Sequence, residues 1–310
     1  MKNDPIEKAL AALDEIPLHT PEGRRQMEKA LDSKSALVTA KAARIAGDAQ
    51  WLDLTPKLVA AFQRLLPGGA SADKGCSAKT AIARALNKLE YDDAELFLSG
   101  MKHRQPEPVW GGSEDTAVDL RAVCAMGLAG STYFFKLREM VNLLVDKGWR
   151  ARAGAVRAIA AVGADAASLL LRFKALTGDS EPEVISDCFT GLLAVEGAAA
   201  VPLVASFANQ RGDAREPAIL ALGESRREDA VEVLKELFAR TADPDGRSCV
   251  LISLATSRTE SAREFLLDLI RHETPHMVSQ VVDAMAVCRG DPRMNREIDD
   301  ALGSREKGSA

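Results

Sequence analysis

Residues that could do chemistry come first, because donors, ligands and nucleophiles work only at particular spacings. His272-Glu273-Thr274-Pro275-His276 has the letters of HExxH, in which two histidines one helical turn apart bind zinc and the glutamate acts as base. Pro275 breaks that geometry, since proline removes a helix hydrogen bond and drives Thr274 out of the helical region. The segment therefore reads as a turn between helices, and no third metal ligand lies nearby in the sequence. There is no GxxxxGK[ST], no GxGxxG after a strand and no GxSxG, so phosphate loops and nucleophile elbows are not expected. Cys76, Cys124, Cys188, Cys249 and Cys288 are an odd number with no CxxC pair, which fits reduced thiols in a cytoplasmic protein. Four of them sit in helical apolar patterns and read as small core residues. Cys76, in a loop, reads as the exposed one. The expectation is no catalytic, metal or cofactor-binding residue.

The remaining candidates gather in two loops. Residues 67–77 contain Lys74 and Cys76; residues 103–115 contain His103, Arg104, Trp110, Glu114 and Asp115. A tryptophan between Pro-Glu-Pro and Gly-Gly, with arginine and carboxylates around it, has the composition of a partner-binding hot spot. The alternative is that Trp110 packs back and seals its loop, and that Asp73-Lys74-Gly75-Cys76 is only a tight turn. Lys79 and Arg121 follow the two loops and recur with Arg152, Arg215 and Arg247 at the starts of helices. Stacked, these would form a basic ladder. Either each cation bonds a carboxylate or carbonyl of a nearby turn, since aligned unpaired charges repel, or the ladder lines a groove for an anionic partner.

The elements that must position these residues are helices. Apolar residues recur at three- and four-residue spacing and strand-like alternation is absent. A small-and-apolar helix end repeats at Ile45, Leu86, Met126, Ile159, Leu193, Leu222, Leu254 and Met285, with spacings of 41, 40, 33, 34, 29, 32 and 31. Each period holds a helix, a turn and a second helix. The turns carry Asp, Ser and Pro where a coming helix is capped and started, and small residues such as Gly154 lie where stacked helices must approach. The two long spacings place the two loops in successive repeats, side by side on one edge.

The unit resembles the HEAT repeat, in particular the short bacterial PBS-lyase HEAT-like type, over about residues 35–301. The resemblance rests on second helices that open with a basic residue and close apolar-Gly: Arg152 to Gly163, Arg215 to Gly223 and Arg247 to Leu254. It implies an all-α solenoid of about eight stacked helix pairs and a protein-binding scaffold. It also brings rival functions, a HEAT-like bilin lyase or isomerase and a HEAT-like DNA glycosylase. Iron-binding HEAT hydroxylases use several His-Glu pairs; this chain has one, His272-Glu273, and four histidines in all.

Composition sets the outer bounds. The chain has 310 residues, 46% hydrophobic, 27% charged and 5% aromatic, with net charge −5. That excludes a disordered or fibrous chain. Residues 1–155 carry net +2 and residues 156–310 net −7, a balance that speaks against tight phosphate binding. No signal peptide and no apolar stretch near membrane-spanning length is read. The expectation is one domain: a helical cap (1–34), HEAT-like repeats (35–301) and a flexible tail (302–310). It would be a non-catalytic cytoplasmic scaffold without cofactors. It would bind a protein or peptide, neither membrane nor nucleic acid, through its concave face, the loops 67–77 and 103–115, Lys79 and Arg121.

Overall fold

In the computed structural model, residues 5–288 and 290–308 are described. The helices fall into two compact units, Met1–Leu170 and Leu171–Ala310.

The first unit contains α1 (Pro5–Asp14), α2 (Pro21–Leu31), α3 (Ala36–Asp48), α4 (Thr55–Leu65), the single turn α5 (Gly69–Ala72), α6 (Ser77–Lys88) and α7 (Ala94–Lys102). A hairpin follows, β1 (Pro106–Val109) and β2 (Gly112–Asp115), then α8 (Val118–Gly130), α9 (Lys136–Val141) and α10 (Trp149–Val162). Helix α11 (Asp165–Thr177) carries the unit boundary. The second helices of the repeats, α3, α6, α8 and α10, pack side by side in that order, and α2, α4, α7 and α9 cover them. Glycine makes the seam possible: a Cβ on Gly154 would stand 2.4 Å from the Ala122 Cβ, and one on Gly47 2.9 Å from the Ala85 Cα. Phe62, Phe97, Leu86 and Leu120 are buried beneath this row. Burying one such side chain contributes about 1.5–3 kcal/mol.

The second unit repeats the plan with α12 (Pro182–Glu196), α13 (Val201–Ala208), α14 (Arg215–Glu224), α15 (Glu228–Arg240), α16 (Pro244–Ser257), α17 (Glu260–His272) and α18 (Pro275–Ala284). Helices α12, α14, α16 and α18 form its row, and α19 (Pro292–Gly308) packs on α17 at the end. Capping follows the turn chemistry: Asp243 accepts from the Gly246 amide at 3.2 Å, with Pro244 opening α16. The HExxH letters are split as the proline dictates. Helix α17 ends at His272, and Thr274 caps α18 by accepting from the Met277 amide at 3.4 Å. Seven of the eight sequence anchors lie on the second helices and Met285 lies in the turn that closes α18.

One expectation is corrected here. In the segment 302–310, α19 continues through Gly308, while residues 309 and 310 lie outside the described residues. Pro182–Ala208 is long and apolar enough, by length and composition alone, to cross a membrane, although no such stretch is read from the sequence. The segment is interrupted: Gly197 closes α12 at φ +60°, a 3₁₀ turn follows, and α13 restarts with Pro202. Val184, Ile185, Cys188, Phe189, Leu192 and Leu193 are buried, so core packing accounts for the apolar run.

Candidate functional site

The first loop folds into α5 and a tight turn. Gly75 has φ +70° and Cys76 φ +54°, which swings the chain from α5 into α6. Asp73, fully buried, caps α6: its Oδ1 accepts from the Ala78 amide at 3.0 Å and its Oδ2 from the Lys79 amide at 2.9 Å. The second loop is a β-hairpin, paired Pro106↔Asp115, Glu107↔Glu114, Pro108↔Ser113 and Val109↔Gly112. Trp110 and Gly111 form its two-residue tip, and Gly111 takes φ +87°. Prolines at 106 and 108 are tolerated because the hairpin is all edge, where a missing N–H costs no ladder bond.

Buried polar groups pin the hairpin to the helices. Glu107 Oε1 accepts from the Gly75 amide, Gln105 Nε2 and Thr116 Oγ1, each at 2.7 Å. Gln105 Nε2 also donates to Asp73 O at 2.8 Å, so the two loops touch. Asp115 Oδ1 accepts from the Gln105 amide at 2.9 Å and the Ala117 amide at 3.1 Å. Arg121 joins this cluster to the next repeat. Its Nη1 donates to Asp115 Oδ2 at 2.7 Å, and its Nε and Nη2 fork onto Asp146 at 3.0 and 2.8 Å. Bidentate guanidinium–carboxylate pairs fix orientation as well as distance. Arg104 Nη2 adds a bond to Asp146 Oδ2 at 2.9 Å.

The electrostatics follow from these bonds. Glu107 is held below the usual carboxylate range by its hydrogen bonds from Gln105 and Thr116. Burial alone would raise Asp115, but the Gln105 and Ala117 amides and the Arg121 guanidinium outweigh it and lower it. Burial lowers His103, against the opposing pull of its hydrogen bond with Gln105. Burial pushes the Cys76 thiol up to about 12.

The candidate residues therefore separate into three groups. Trp110 stands fully exposed at the hairpin tip, and Lys74, Arg104 and Glu114 are exposed too. His103 and Asp115 are half-buried at the hairpin base. Cys76, Lys79 and Arg121 are buried, at 0%, 0% and 1% exposure, against the expectation that they face a partner. The reason for Cys76 is its left-handed backbone, which turns the side chain inward. Lys79 lies 3.5 Å from Asp73 and donates to Gly69 O at 3.2 Å; Arg121 is saturated by Asp115 and Asp146. Trp110, His103 and Cys76 do not converge on one pocket.

The rest of the basic ladder is likewise bonded inside. Arg152 donates to Asp146 O, Arg215 to Thr241 Oγ1 while lying 3.6 Å from Asp243, and Arg247 to Thr241 O. These cations tie their repeats to neighbouring turns.

Beside the hairpin lies a cleft of about 990 Å³. Arg104, Glu114 and Asp115 line one side, and the turn into α10, with Val145, Trp149 and Arg150, lines the other. Sequence reasoning passed over Asp146 and this second side. Asp146-Lys147-Gly148 reads locally as a turn, and nothing near it reveals that its carboxylate serves an arginine 25 residues earlier. Among the described residues no cluster of His, Cys, Asp and Glu could hold a metal ion.

Comparison with known proteins adds the following. The family model described as HEAT repeats matches residues 200–286. A search of curated proteins finds no match. Among solved structures, a chain of the full-length AP-3 complex in an intermediate open conformation, itself a homology model, is similar at TM-score 0.58 and 14% identity. That match covers 89% of this chain and 53% of the other, so this chain spans about half its length. The CpcE–CpcF complex of phycocyanin lyase from Nostoc matches at TM-score 0.37 and 13% identity over 93% of this chain and 96% of that one. Human deoxyhypusine hydroxylase matches at TM-score 0.32 and 17% identity over 82% and 91%. Residues 200–286 thus match HEAT repeats, and with helix pairs stacked in both units the fold is an all-α helix-pair repeat.

Proposed function

We propose that the chain is a non-catalytic protein-binding scaffold and that the hairpin 106–115 is its docking finger. One observation carries this reading: a fully exposed tryptophan sits at the tip of a hairpin whose base is held by buried and half-buried bonds. A large aromatic in water forgoes the stabilisation that burial would give, about 1.5–3 kcal/mol. A rigid support means that little ordering entropy is lost when the ring enters a partner's pocket. Tryptophan and arginine are the residue types most enriched among interface hot spots, and Arg104 and Arg150 flank the cleft at the finger's foot. The placement in a reducing cytoplasm belongs to this proposal.

A photo-crosslinking amino acid at position 110 tests it. In native extract the finger should give one discrete adduct, and the same group at the exposed Glu228 should give none. Equal labelling at both positions, or none at position 110, overturns the reading.

A further inference from the structure

Helices α3 and α6 each carry an arginine one repeat apart, Arg44 and Arg84. Both are exposed and both line one cavity of about 230 Å³ with Gly75, Ser77, Thr80, Thr116 and Asp119. Among the described residues neither guanidinium has a hydrogen-bond or ion-pair partner, and neither has Asp119. This separates them from the basic ladder, whose members are bonded internally.

The cavity has a chemical polarity. Ser77, Thr80 and Arg84 share one face of α6, being three and four residues apart. The hydroxyl protons of Ser77 and Thr80 are already committed, to Asp73 Oδ1 at 3.3 Å and to Cys76 O at 2.7 Å. Both hydroxyl oxygens are thereby left as acceptors among the residues that line the cavity, together with the Asp119 carboxylate. The free donors are the two guanidinium groups. A phosphate would meet those donors but would also face acceptor oxygens and a carboxylate. An acidic residue within a peptide satisfies both sides, with its carboxylate on the arginine forks and its backbone N–H groups on Asp119 and the hydroxyl oxygens.

The cavity shares Gly75, Thr116 and Asp119 with the cleft at the foot of the hairpin. A chain docked on the finger thus has a continuous path into it. We infer that Arg44, Arg84 and Asp119 form a subsite for an Asp or Glu side chain in an extended segment of the partner. This rests on the docking role proposed for the hairpin.

The test is NMR titration of the full chain with three probes. They are an acetylated eight-residue peptide alternating Glu and Gly, its Gln–Gly counterpart, and inorganic phosphate. The Glu peptide should shift the Arg44 and Arg84 Nε–Hε signals and the Gln peptide should leave them unmoved. Loss of one charged hydrogen-bond donor should weaken binding about ten-fold or more, so Arg84→Gln and Arg44→Gln, both at exposed positions, should each show that loss. No shift with the Glu peptide overturns the inference, as does tighter binding of phosphate than of the peptide. Trp110→Ala separates the two proposals. If its capture of the partner falls while the arginine signals ignore the Glu peptide, the docking finger stands and the acidic subsite fails.

Discussion

Arg121 and Trp110 show two opposite uses of a functional-looking side chain. Arg121 is buried and holds Asp115 and Asp146 together. Removing one member of a buried ion pair costs up to about 3–5 kcal/mol, here leaving the half-exposed Arg104 as the cation on Asp146. Arg121→Met should therefore lower stability by up to that amount in denaturant unfolding, and an unchanged midpoint would contradict the packing described. Trp110→Ala should change stability by less than about 0.5 kcal/mol, as surface substitutions do, so a large loss in the same unfolding measurement would show a packed ring. Cysteine reactivity is a further residue-scale check. Burial raises the thiols of Cys76 and Cys188 to about 12 and of Cys249 to about 11. At pH 8 the native chain should react slowly with a disulfide reagent, the half-buried Cys249 first, and rapid modification of Cys76 would contradict its burial.

At the scale of elements, the hairpin is held by carboxylates, and its pH response has a definite sign. Glu107 and Asp115 both titrate below their ordinary values. Such groups add stability that is complete above the unfolded value, about 4, and is lost as pH falls through the lower folded value. Amide exchange at Gly75 and Ala117, whose N–H groups bond these carboxylates, should stay slow from pH 7 to 5. The protection should fall away in the acid range below about 4; loss of protection near neutrality would contradict it.

Much of this organisation is legible in the sequence. The spacings of 41 and 40 located both loops, and Pro275 located the break between α17 and α18. The hairpin itself was hidden because Pro106, Pro108, Gly111 and Gly112 signal a loop, while its strands persist through bonds to Asp73 and Gly75, some thirty residues away. The burial of Cys76 is not legible because its backbone lies in the left-handed region, which is uncommon for a non-glycine residue. Arg44 and Arg84 did leave a signal, two arginines one repeat apart, that loop-centred reading passed over.

At the scale of the molecule, two rows of second helices, α3 to α10 and α12 to α18, build the cores of the two units. Each is the kind of nearest-neighbour stack expected of repeat proteins. The repeats make rigid ground, and one oversized connection in the first unit departs from their regularity to raise a tryptophan into solvent. The most direct measurement of that claim is the affinity of the partner crosslinked at position 110, by calorimetry, for wild type and Trp110→Ala at matched melting temperature. A loss of about 2 kcal/mol or more, the hot-spot range, is the predicted result; equal affinities would contradict the docking role of the hairpin.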